Sequence, residues 1–130
     1  MNKSQLISPP DGNVLETLTD PRVLATAGGV AAYAYGEKAL YKSARNLFGI
    51  ASAGEGGKVV YYAVKADGTA DTSATAPQFG TNRNVARAVG IVGSVALIEY
   101  SNSAPMQYAL LGGASVLLTH MLQDVIPGLR

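Results

Sequence analysis

Ala86-Arg-Ala-Val-Gly-Ile-Val-Gly-Ser-Val-Ala-Leu-Ile-Glu-Tyr100, then Ser101-Asn-Ser-Ala-Pro105, then an uncharged run from Met106 to Gln123, is the stretch whose reading decides the fold. Two apolar runs joined by a short polar turn read as a helical hairpin. Thr81 or Asn82 is the expected cap of the first arm, which spans about Arg83 to Tyr100. Ser103 followed by Pro105 opens the second arm, because proline in a first turn forfeits no hydrogen bond. Pro127-Gly128 closes it. Between Met106 and Gln123 the second arm carries one histidine, His120, and its one other titratable side chain is the phenol of Tyr108.

Upstream, Thr19-Asp20-Pro21 is a helix start. The charge-free run Val23–Gly36 continues into an amphipathic stretch with Leu40, Ala44, Leu47, Phe48 and Ala51 on one side and Lys38, Lys42, Arg45 and Asn46 on the other. A helix from Pro21 to Phe48 would be on the order of 40 Å long. Between it and the hairpin, Lys58-Val-Val-Tyr-Tyr-Ala-Val-Lys65 has the β-branched and aromatic content of a strand. Ala66-Asp67-Gly68 is a turn that can return Thr69–Thr75 as a weaker partner strand. The fold expected is therefore mainly α and a single domain over residues 1–130. It comprises an extended arm (1–19), a long helix (20–50), a loop with a β-hairpin (51–81) and a C-terminal helical hairpin (82–126), the whole embedded in a membrane.

Composition supports that setting. Apolar residues make up 48% and charged residues 15%, yet Phe occurs twice and Trp not at all. Small residues suit helices that approach closely, as they do in membrane bundles, better than they fill a thick core. They recur every four positions at Gly28 and Ala32, at Ala86, Gly90 and Ser94, and at Ala109 and Gly113, which nominates these as helix-packing positions. Val23–Gly36 and Ala88–Ile98 are short for spans, at 14 and 11 residues. Crossing a bilayer there would need flanking charges to snorkel. Lys38, Lys42, Arg45, Arg87 and Glu99 are the residues expected at the membrane interface. Seven of the ten basic residues lie between Glu37 and Arg87, and none lies in the turn from Glu99 to Pro105. Under the positive-inside bias the central segment faces the basic side of the membrane.

A net charge of +1 supplies no basic surplus for nucleic acid. Without cysteine there is no disulfide, thiolate metal site or thiol nucleophile. Gly54-Glu-Gly-Gly-Lys58 is not a phosphate loop, since Ser52 and Val59 stand where glycine and Ser or Thr are required. A single histidine cannot form a His pair, and His120 reads as a hydrogen-bond partner across the helix pair or near the headgroups. No serine sits in a recognisable nucleophile arrangement. The expectation is a protein without catalytic, metal or cofactor residues, without a small-molecule substrate, and with lipid, other subunits or its own copies as partners. The function that follows is a small integral membrane structural protein packing in many copies. A virion with an internal membrane is one such setting, which would place it in that membrane or in a host inner membrane. A holin-like pore-former and a soluble obligate-oligomer helical module are the alternatives.

Overall fold

A computed structural model describes residues 14–126. The first thirteen residues of the expected arm therefore lie outside the described chain, and its end is a short helix, α1 (Val14–Leu18). The fold is mainly helical with a small three-stranded antiparallel sheet.

Helix α2 (Pro21–Ser43) begins as its sequence demands. The Asp20 carboxylate accepts from the Arg22 amide at 2.8 Å and from the Arg22 guanidinium at 2.8 and 3.1 Å. Those hydrogen bonds hold the Asp20 carboxyl down at about 2. The long helix does not run unbroken to residue 50. Ala44 leaves helical geometry, and one further turn, α3 (Arg45–Phe48), leads to Gly49. Gly49 sits at φ +64°, and a Cβ there would lie 2.7 Å from the Phe79 ring, so only glycine turns the chain at this point.

The turn delivers β1 (Ile50–Ala53), which pairs with β2 (Val59–Val64) in the register Ile50 to Tyr62 and Ala53 to Val59. β3 (Ala70–Asp71) pairs on the other edge of β2, Ala63 to Asp71. The expected hairpin is thus the β2–β3 half of a sheet whose longer pairing is β1–β2. Asp67 and Asp71 each accept from the backbone two residues on, closing the tight turns around β3.

Helix α4 (Gln78–Tyr100) starts at Pro77, earlier than the expected Thr81 or Asn82 cap. Asn82 instead reaches back to the Leu47 carbonyl at 2.7 Å, and Arg83 to those of Phe48 and Gly49 at 2.9 and 3.0 Å. Asn82, one of the two residues expected to cap α4, therefore caps the end of α3 together with Arg83. Helix α5 (Ala104–Val125) follows the turn, with Ser103 at its N-cap and Gln107 donating to the carbonyls of Ile98 and Ser101 at the end of α4.

α5 packs against both long helices. Gly29 meets Ala109, Thr26 meets Gly112 and Glu37 meets His120, so α2 and α5 run parallel. Gly90 meets Leu117 and Arg87 meets Asp124, so α4 runs antiparallel to both. At Gly29 and Gly112 the backbones touch. A Cβ at Gly29 would fall on the Ala109 carbonyl, and one at Gly112 on that of Thr26. Among the described residues no helix is long and apolar enough to cross a membrane. The spans expected at Val23–Gly36, Ala88–Ile98 and the second hairpin arm find no support in the helices. α4 and α5 carry Arg87, Glu99, His120 and Asp124 within or at the ends of their apolar runs, and Gly, Ser, Thr and Gln dilute the rest.

Candidate functional site: a buried charge cluster

At the end of the bundle that meets the sheet, three helices and a strand bring together groups far apart in sequence. Arg83 and Arg87 stand four residues apart on α4, and His120 and Asp124 four apart on α5, so each pair shares a helix face. Helix α2 contributes Glu37 and Tyr41, and β2 contributes Tyr61.

Arg87 is the centre. Its Nε donates to Glu37 Oε1 at 2.5 Å, and its Nη1 to Asp124 Oδ2 at 2.5 Å and Asn84 Oδ1 at 2.9 Å. The side chains of Arg87, Glu37 and Asp124 are 6, 7 and 6% exposed. His120 Nδ1 lies 2.5 Å from the second Glu37 oxygen, and the Tyr61 hydroxyl donates to Asp124 at 2.9 Å. Arg83 stacks over Tyr41 at 4.5 Å and Tyr61 at 5.1 Å, in the range where a guanidinium is drawn to an aromatic face. Two carboxylates and two guanidiniums balance. Every buried side-chain polar atom among the described residues has a partner.

Electrostatics follow from that geometry. Burial alone would raise the Glu37 pKa, but hydrogen bonds from Arg87 and His120 outweigh it and hold the carboxyl below its ordinary value. Burial likewise disfavours charge on Arg87, and the Glu37 and Asp124 hydrogen bonds reverse it, raising the guanidinium's pKa. Burial and then the Asp124 charge push the Tyr61 phenol up. Arg83, desolvated without a carboxylate of its own, is shifted down. A cluster so arranged keeps its charges fixed at neutral pH and turns their bonding capacity inward. Among the described residues no group of three His, Asp or Glu side chains is placed to hold a metal ion. Chemically, the arrangement fastens α2, α4, α5 and β2 to one another. Such a network contributes little net free energy while intact, yet losing one member strands a buried charge at a cost of about 3–5 kcal/mol.

Beside the cluster, α2 and α4 stay apart and leave a groove of about 290 Å³, lined by Ala32, Gly36 and Leu40 on one side and Ala86 and Gly90 on the other, with Leu117 also in the lining. The Tyr33 hydroxyl crosses to Ser94 Oγ at 2.6 Å, and Ser94 donates to the Gly90 carbonyl at 2.7 Å.

The helix-packing positions expected from sequence divide. Ala109 and Gly113 lie in the α2–α5 contact, Gly113 directly beneath the Tyr33 ring. Gly90 seats Leu117, and Ser94 is the most buried side chain of the bundle. Gly28 faces open space and Ala32 the groove; the close approach on α2 belongs to Gly29. A spacing rule cannot choose between adjacent glycines. Of the residues expected at a membrane interface, Lys38, Lys42 and Glu99 are exposed, and Arg45 donates to the Gly68 carbonyl at 3.2 Å. Arg87 is corrected. Its guanidinium turns inward, since Glu37 and Asp124 offer it two carboxylates within the bundle. Sequence reasoning missed Glu37, Asp124, Tyr61 and Arg83 as a unit. The available signal was the pair of i, i+4 polar couples inside runs otherwise nearly free of charge. The chain matches no family model, and neither the curated proteins nor the solved structures contain a significant match to it.

Proposed function

We propose that the chain is a non-enzymatic structural protein that packs in multiple copies within a membrane-containing assembly. A virion with an internal membrane is such an assembly. The observation that carries this reading is the inverted distribution of its side chains. Among the described residues the buried apolar side chains are Tyr41, Phe48, Ala76, Leu110, Ala114 and Leu117, while the densest cluster of charge is also buried. Large apolar side chains line the outside of all three long helices instead: Val23, Leu24 and Val30 on α2, Val85, Val89 and Val92 on α4, Leu111, Leu118 and Leu122 on α5. Exposed apolar side chains in this number mark faces that a neighbour covers. Lipid and further copies are the neighbours that fit an uncharged surface. Lys38 and Lys42 at the sheet end add positive charge where an anionic headgroup layer would adjoin it.

The test is co-purification from the source or an expression host. The protein should stay with a large particle or membrane at high salt and leave only with detergent. A second reading, a soluble obligate-oligomer module, is favoured by the lack of a described helix suited to crossing a bilayer. It predicts release without detergent as a defined oligomer.

A further inference from the structure

The outer face of α4 carries Val85, Val89, Val92 and Ala96, spaced four, three and four residues apart. That is the spacing of a knobs-into-holes seam, and the three valines are 57, 67 and 69% exposed. Beside this ridge runs the groove between α2 and α4, walled by Ala32, Gly36, Ala86 and Gly90. Gly93 lies between them, four residues after Val89 and three after Gly90. A Cβ at Gly36 or Gly93 would meet nothing within 4 Å. Glycine inside a helix sacrifices roughly 1 kcal/mol relative to alanine. At Gly36 and Gly93 the chain's own packing does not require it.

We propose that the ridge and the groove are the two halves of one self-complementary interface, in which the α4 valine ridge of one copy seats in the α2–α4 groove of a second copy of this chain. The proposal rests on the multi-copy reading above and names the surface through which copies meet. A two-fold pair needs one patch that supplies both knob and hole, and here they adjoin on the same helix. Val85, Val89, Val92, Leu97 and Tyr100 are each more than half exposed, and Leu40 nearly so. With the groove walls, they offer an area on the order of the ~800 Å² per partner that a stable interface buries. Val85, Ala86, Val89, Gly90, Val92, Gly93 and Ala96 carry no charge, so like copies meet on this part of α4 without electrostatic repulsion.

The absence of cysteine makes the test direct. Full-length chains carrying Val89→Cys or Val92→Cys, and a control carrying Leu118→Cys on the outer face of α5, are treated with a short bismaleimide in their assembled form. Covalent dimers are expected at 89 or 92 and not at 118. Gly93→Leu, which fills open space within the monomer, should reduce the yield at 89 at least tenfold while leaving helicity unchanged. Multi-copy particles that couple at 118 but at neither 89 nor 92 would overturn this interface and leave the multi-copy reading standing. Labelling of position 89 by a lipid-phase probe in place of coupling would overturn it too, assigning the ridge to lipid. A monomer that couples nowhere would overturn both.

Discussion

The two ends of the helical bundle are held together in opposite ways. At the turn end, α2 and α5 meet through backbone, with Gly29 against the Ala109 carbonyl and Gly112 against that of Thr26. These glycine contacts involve no charged side chain, and the attraction is van der Waals contact over a short separation. At the sheet end, the same two helices are joined by Glu37 and His120, and α4 is tied in by Arg87 through Glu37 and Asp124. The first end depends on the absence of an atom, the second on the presence of every partner. They should therefore fail under different perturbations.

The largest effect is expected at the charged end. Arg87→Ala leaves Glu37 and Asp124 buried without their cation and should lower stability by about 3–5 kcal/mol, read as a shift in the urea midpoint of the purified oligomer. An unchanged midpoint would mean that water already compensates those carboxylates and that the cluster does not join the helices. Next comes the glycine end. Gly29→Ala adds one methyl where a carbonyl oxygen stands and neither backbone can yield cheaply, so a loss of roughly 2–3 kcal/mol is expected. The adjacent Gly28→Ala enters open space and should instead raise stability by about 0.5–1 kcal/mol through helix propensity and a less flexible unfolded chain. Opposite signs at neighbouring glycines would be hard to obtain from any other arrangement of α2 on α5.

A smaller and more selective effect separates the ends by pH. The Glu37 carboxyl is held below its ordinary value of 4.5, so its contribution is complete above that value and is lost as pH falls through the lower, folded one. The Glu37 contribution should be intact down to about pH 5 and decline below about pH 4.5. Glu37→Gln should be less stable at neutral pH and show a shallower acid decline. The lowered carboxyls of Asp20, Asp67 and Asp71 add to the acid decline of both proteins and cancel in the difference. Gly29→Ala should shift the whole curve without changing its shape. A shape change in that variant would show that the two ends are coupled.

Much of the scaffold was legible in the sequence because it is set by local chemistry. Thr19-Asp20-Pro21 and Ser103-Ala-Pro105 mark helix starts by capping and by the missing proline amide, and both helices begin there. The strand at Lys58–Lys65 declared itself by its valines and tyrosines. Ile50–Ala53 did not, since Ala-Ser-Ala has no strand preference and becomes β1 only because Gly49 turns it alongside β2. The arrangement of the cluster is tertiary. Glu37 and Arg87 stand 50 residues apart, and Glu37 and His120 stand 83 apart. Local pattern shows that each charge interrupts an apolar run. It does not show whether the charge turns outward to a headgroup or inward to a partner, and for Arg87 the inward partners decide. His120 was readable as a group that bonds another helix, but its partner is Glu37 on α2 and not a group on the other arm of the hairpin.

The central claim is that the bundle buries one cluster of charge and carries large apolar side chains on the outside of its helices, which neighbours cover. The most direct measurement is the size of the purified protein by light scattering after detergent is exchanged for plain buffer. The account predicts no stable folded monomer: the chain should remain in a larger assembly, or precipitate, and return to a dispersed helical state when detergent or lipid is restored. A monodisperse monomer in plain buffer that unfolds cooperatively on heating would contradict it.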